Sequence, residues 1–91
     1  MKLSKFIPIC GIYKIANARN GRVYIGQSAN IPLRWAAHVD DLTRGRHSNG
    51  RLLRDFQEMG IRGFSAEIIE QCDRSVLLAR ERFHITQCYE Q

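Results

Sequence analysis

The sequence predicts a small α+β domain with elements in the order β-β-α-α-β-α. Strand-forming residues flank the Asn20-Gly21 dipeptide, apolar residues recur at helical spacing after Pro32 and again after Asp73, and Phe64 to Ile69 has a period of two. With 91 residues, surface-to-volume scaling leaves room for one core, so residues 1–91 are expected to form a single domain.

Ile12 to Ile15 and Arg22 to Gln27 read as the strands of a hairpin, because Asn-Gly favours a tight turn. Side chains alternate along a strand. Across a loop with an even number of residues, positions an odd number apart therefore point to the same side. Tyr13 and Tyr24 are eleven apart, so both phenols share one face, while Ile12, Val23 and Ile25 take the other. Ser28-Ala29-Asn30 then supplies capping residues, Pro32 suits a first helical turn, and Gly45 lies where a C-terminal cap belongs. The spacing predicts a helix from about Pro32 to Arg44, with Trp35, Val39 and Leu42 buried and Arg34 and His38 one turn apart on an adjoining face. The loop from Gly45 to Gly50 leads to a second helix, about Arg51 to Met59, which turns Leu52, Leu53 and Phe56 inward and ends at Gly60. After the third strand, Asp73 or Ser75 caps a last helix whose inward stripe is Leu77, Glu81 and Ile85. A carboxylate in such a stripe costs several kcal/mol if it is buried and unpaired. Glu81 therefore needs an arginine partner, a metal ion, or a place at the edge of the core facing a cleft.

Composition removes several classes. With 44% apolar and 25% charged residues, the chain has no disordered, fibrous or membrane bias. No apolar run approaches a bilayer span, and Lys2 and Lys5 precede no signal-like segment, so a cytoplasmic protein with no membrane partner is expected. Cys10, Cys72 and Cys88 have neither C-x-x-C nor His-paired spacing, which points to reduced packing residues and not to a zinc site or a disulfide framework. The net charge of +5 and pI near 9.6 come mainly from arginine, whose planar fork suits phosphate. That favours a polyanionic partner, although many small domains are mildly basic without one.

Packing leaves three features unexplained: the co-facial tyrosines, the Arg34/His38 pair and Glu81. Each has an ordinary reading. A strand tyrosine is commonly a core aromatic, a helix histidine commonly a satisfied surface group, and Glu81 can be salt-bridged to Arg80 or Arg34. Taken together, Gly11-Ile12-Tyr13, Tyr24-Ile25-Gly26, Arg34-Trp35, His38, the Gly45-x-His47-Ser48 loop and Glu81 in Arg80-Glu81-Arg82-Phe83 form a spaced set. On these residues the chain resembles the GIY-YIG nuclease superfamily, most of all the catalytic domains of phage homing endonucleases, from Gly11 to about Ile85.

The resemblance implies a three-stranded antiparallel sheet flanked by helices, and a DNA endonuclease that hydrolyses phosphodiester bonds with one divalent ion, Mg2+ or Mn2+. It implies that Tyr13 activates the attacking water, that Tyr24 sits beside the scissile phosphate, and that Gly26 leaves room for the backbone there. It further implies that Arg34 stabilises the transition state, that His38 relays protons with Tyr13, and that Glu81 is the metal's sole protein ligand. Independent chemistry agrees. A nearby cation lowers a phenol's pKa, a histidine can take its proton, and magnesium keeps several waters and needs few carboxylates. Lys14, Arg22, Arg44, Arg46 and Arg51 lie on elements that could border such a site and hold DNA, with His47 a further candidate contact.

Family members usually carry an asparagine beyond the last helix and a downstream DNA-recognition segment, and the sequence ends at Gln91 before either. The expectation is a nuclease domain cut from a longer protein, or a stand-alone member that takes specificity from a partner protein or from substrate structure, working in a bacterial or phage-infected cell. The alternative is a nucleic-acid-binding domain of the same fold with impaired catalysis. Joint retention of Tyr13 and Glu81 favours the enzyme.

Overall fold

The computed structural model describes residues 8–89; Lys2 and Lys5 lie outside them. Strands β1 (Gly11–Asn17) and β2 (Val23–Ser28) form the hairpin, helices α1 (Ile31–Thr43) and α2 (Gly50–Met59) follow, then strand β3 (Phe64–Gln71) and helix α3 (Leu77–Tyr89). The expected order holds. All three strands are antiparallel and lie in the order β2-β1-β3, so β1 is central.

The hairpin register pairs Tyr13 with Gly26 and Ile15 with Tyr24, which puts both tyrosines on one face as alternation requires. The turn is wider than the two-residue type. Asn17 closes it through its N–H to Arg22 O and its O from the Gly21 N–H, and Gly21 takes φ 74°. The Asn17 side-chain oxygen accepts the N–H groups of Arg19 and Asn20, so the buried Asn17 orders the loop from inside.

Two glycines are required by close approach. A Cβ on Gly11 would strike the Glu70 carbonyl oxygen of β3, and one on Gly26 would strike the Tyr13 phenol. The space that Gly26 leaves is thus filled by the Tyr13 ring, where the family resemblance had reserved it for a substrate backbone.

Asn30 caps α1 by accepting the Leu33 N–H, Asn49 caps α2, and Asp73 caps the 3-10 turn Arg74–Val76 that leads into α3. The burial of α1 departs from expectation. Leu42 is buried and Trp35 half-buried, but Val39 is 41% exposed, and Ile31 and His38 are buried in its place. The apolar spacing marked the correct side of the helix, yet its contact with the sheet is rotated toward the His38 edge, so a polar ring occupies a core position. In α2, Leu52 is buried, Leu53 and Phe56 are half-buried, and Asp55 is buried too. Ile15, Phe64 and Ala66 of the sheet line one hollow with Trp35 and Leu42 of α1 and Leu52 of α2, so α1 and α2 cover the tyrosine face. Helix α3 packs along β2 and is tied to β3 through Glu70, which Arg80 and His84 hold at 2.7 and 2.8 Å. The three cysteines are free and half-buried.

Gly11→Ala and Gly26→Ala should both lower stability in denaturant unfolding, by about 1–3 kcal/mol for Gly26→Ala, where a confined ring must shift. Gly11→Ala should cost more, because its obstacle is backbone that cannot turn aside.

Candidate active site

Between α1, the hairpin and α3 opens a cleft of about 300 Å³, lined by Tyr13, Tyr24, Gly26, Arg34, His38, His47 and Glu81 among others. It gathers all five expected catalytic positions. Tyr13 reaches it from the central strand, buried and met edge-on by Trp35 with ring centroids 6.1 Å apart. Its hydroxyl oxygen lies 2.7 Å from His38 Nε2. Nδ1 of His38 meets Nε2 of His47, and the two rings stack at 4.8 Å. The Asn49 N–H closes the chain by donating to His47 Nδ1 at 3.0 Å.

Burial raises the Tyr13 phenol above its usual pKa, the Arg34 guanidinium beside it pulls the other way, and the Glu81 charge raises it again. Burial, followed by the positive charge of Arg34, lowers His38 to about 4. His47 is lowered as well, chiefly by burial. Both imidazoles are therefore neutral at physiological pH, and His38 is a weaker proton acceptor than a free histidine.

Tyr24 takes part in a different network. Its hydroxyl donates to the Asp55 carboxylate at 2.8 Å, and Arg22 stands 3.6 Å from the same carboxylate. Desolvation and the carboxylate raise the Tyr24 phenol, while the donated hydrogen bond lowers Asp55. Sequence reasoning missed Asp55. It falls three positions after Leu52 on the inward side of α2, and the charged residues around it gave no cue.

Glu81 is half-buried at the cleft edge, and among the described residues no ion pair reaches it. Of the three options open to this carboxylate, the arginine partner is absent. Arg80 turns to Glu70 and stacks over the Phe83 ring instead. Among the described residues no group of three or more His, Cys, Asp or Glu gathers as a metal cage.

The expected DNA contacts divide. Arg22 and Arg51 line an adjoining hollow of about 400 Å³ that shares Tyr24 and Asn49 with the cleft region, and His47 lines the cleft itself. Lys14 does not border it. As the register partner of Ile25 it belongs to the opposite sheet face, where it pairs with Glu67 at 2.7 Å. Arg44 and Arg46 line neither hollow and pair with Asp40 and Asp41 on the surface of α1.

The buried histidine gives a pH signature. The folded state holds His38 near 4 against 6.5 for a free ring, so between those values the unfolded chain binds a proton that the folded chain refuses. Stability is therefore lost as pH falls through that window. Thermal melting from neutrality down to pH about 4 should show a steeper decline for the native chain than for His38→Gln.

Residues 9–88 match the family model described as the GIY-YIG catalytic domain. Intron-associated endonuclease 1 of Enterobacteria phage T4 is 35% identical over 79 residues, which are 85% of this chain and 32% of that protein. The chain thus spans about a third of the length of this curated relative. A solved structure of the catalytic domain of homing endonuclease I-TevI superposes with a TM-score of 0.79 at 34% identity, covering 86% of each chain. A point mutant of the catalytic domain of intron endonuclease I-TevI gives 0.80 at 33% identity, over 87% of this chain and 82% of that one. Among the described residues no helix is long and apolar enough to cross a membrane. With its fold, its tyrosine hairpin and nearly all of its length accounted for in this way, the chain belongs to the GIY-YIG catalytic domain family.

Proposed function

We propose that this domain is the catalytic part of an endonuclease that hydrolyses phosphodiester bonds of DNA, using one divalent ion held by Glu81. The observation that carries this reading is the meeting of Tyr13, Arg34, His38 and Glu81 in one cleft, with Arg22 and Arg51 lining the adjoining hollow. An impaired binding domain would have no need to keep in the cleft a carboxylate that no ion pair reaches among the described residues.

The donor set fits a hard cation that keeps most of its water. One half-buried carboxylate without an ion pair faces the cleft, and phosphate oxygens and water complete such a shell. When bound there, Mg2+ or Mn2+ would polarise a phosphate oxygen and cancel the Glu81 charge, which adds to the burial that raises the Tyr13 phenol. Tyr13, ionised, takes a proton from water as the water oxygen attacks phosphorus. The P–O bond to the leaving sugar oxygen breaks, and solvent protonates that oxygen. Arg34 offsets the charge that builds on the phosphate. Tyr24 keeps its own proton, which it points at the Asp55 carboxylate, so its oxygen serves as an acceptor that orients water. Arg22 and Arg51 hold neighbouring phosphates, and a downstream recognition domain or a partner protein supplies sequence specificity.

Cleavage of supercoiled plasmid should require a divalent ion and stop with EDTA. Glu81→Gln should lose turnover while gel-shift binding persists; cleavage at the native rate by this variant would make Glu81 merely structural.

Tyr13→Phe should slow single-turnover cleavage by about a hundred- to ten-thousand-fold, the scale of a lost general base. Tyr24→Phe should cost less in rate. Each variant also leaves a buried partner, His38 or Asp55, short of a hydrogen bond, so melting temperatures should fall modestly in both. A larger rate loss from Tyr24→Phe would reverse the two roles.

A further inference from the structure

Asn49 does two things at the start of α2. Its side-chain oxygen accepts the N–H groups of Arg51 and Leu52, which caps the helix. Its own N–H precedes the helical ladder and donates to Nδ1 of His47 at 3.0 Å. A backbone N–H can only donate, so Nδ1 of His47 carries no proton, and neutral His47 carries its single proton on Nε2. That proton faces Nδ1 of His38. Two protons cannot share this contact, so Nδ1 of His38 is bare in turn and its proton sits on Nε2. Nε2 faces the Tyr13 oxygen at 2.7 Å. Every hydrogen bond in the chain runs the same way, from the backbone of a helix cap to the phenol.

We propose that His47 is a positioning residue which, oriented by the Asn49 N–H, fixes His38 as the Nε2–H tautomer, so that His38 donates to the Tyr13 oxygen and does not accept the phenolic proton. A donor aimed at an oxygen favours its ionised form. His38 thus supports the Tyr13 phenolate and stays neutral itself, and the Tyr13 proton is exchanged through the cleft, not through the interior. The spacing of His47 and Asn49 follows from this: a ring two residues before a cap can reach the N–H that the helix leaves free. The catalytic consequence rests on the endonuclease reading, but the tautomer does not.

The test is nitrogen NMR of the DNA-free chain with 15N-labelled histidine near neutral pH, where protonated and bare ring nitrogens resonate far apart. His38 and His47 should both carry the proton on Nε2. In His47→Gln the amide N–H still donates to His38 Nδ1, so the tautomer and most of the cleavage rate should survive. In His47→Glu the carboxylate can only accept, so the His38 proton should move to Nδ1, and single-turnover cleavage of duplex DNA with Mg2+ should fall about a hundredfold or more. Amide spectra report whether each variant is folded. If His47→Glu does not fold, His47→Leu, which offers no donor, should give a mixed tautomer and a slowed rate that His47→Gln does not show. A native His38 protonated on Nδ1, or a tautomer unmoved by His47→Glu, overturns the proposal, as does a flipped tautomer with native cleavage. If the native tautomer is as stated but the native chain cleaves no DNA, the endonuclease reading fails and the tautomer assignment stands.

Discussion

The burial of the Tyr13 phenol on the central strand is the constraint around which the rest is arranged. A tyrosine on β1 has strands on both sides and helices over its face, so its ring fits only where the opposing residue has no side chain, and Gly26 meets that need. The pairing of Tyr13 with Gly26 also fixes the hairpin register, since a one-residue slip would turn the phenol to the other face and set it against a residue with a side chain. The register in turn places Tyr24 opposite Ile15, on the same face and nearer the turn of the hairpin. A buried hydroxyl must also have a hydrogen-bond partner, which explains why α1 turns His38 inward and leaves Val39 partly in water.

Burial on this scale decides the electrostatics. Burial, and then contact with each other beside Arg34, keeps the two imidazoles from taking up second protons, and both are lowered. Elsewhere several carboxylates are matched with cations: Glu67 with Lys14, Asp40 and Asp41 with Arg44 and Arg46, Asp55 with Arg22, and Glu70 with Arg80. Exposed pairs of this kind add little stability. Their effect on function is to leave Glu81 as a carboxylate in the cleft with no ion pair among the described residues. The Glu70 clamp contributes indirectly as well, because it engages the neighbouring Arg80 at β3 and so keeps it from pairing with Glu81.

Features set by local chemistry were legible in the sequence. The tyrosine parity follows from alternation alone and the caps at Asn30 and Asp73 from their side chains, while the cost of burying a lone charge narrows Glu81 to an arginine partner, a metal ion or the cleft edge. What escaped depends on how elements meet. Periodicity gives the apolar side of α1 but not its rotation about its own axis, so it puts Val39 inside and His38 only on an adjoining face. Asp55 was invisible because its partner, Tyr24, is thirty-one residues away, and no spacing rule joins a strand phenol to a helix carboxylate at that distance. Lys14 lies on a strand that borders the site, yet alternation sends its side chain to the other face.

The two tyrosines then differ for a reason the family motif cannot express. Their chemistry is the same and they lie on the same face, but Tyr24 donates its proton to a carboxylate kept ionised by that bond and by Arg22, whereas Tyr13 faces a neutral ring whose orientation is controlled from a helix cap. Losing the Tyr24 proton would set two negative charges side by side, so this phenol resists ionisation. Tyr13 has one opposing charge close by, Arg34, and one like charge, Glu81, which a bound cation would neutralise. Of the two phenols, only Tyr13 has a route to the anion that does not place it against a second carboxylate, and on that ground the activating role in the proposed mechanism is given to the central strand.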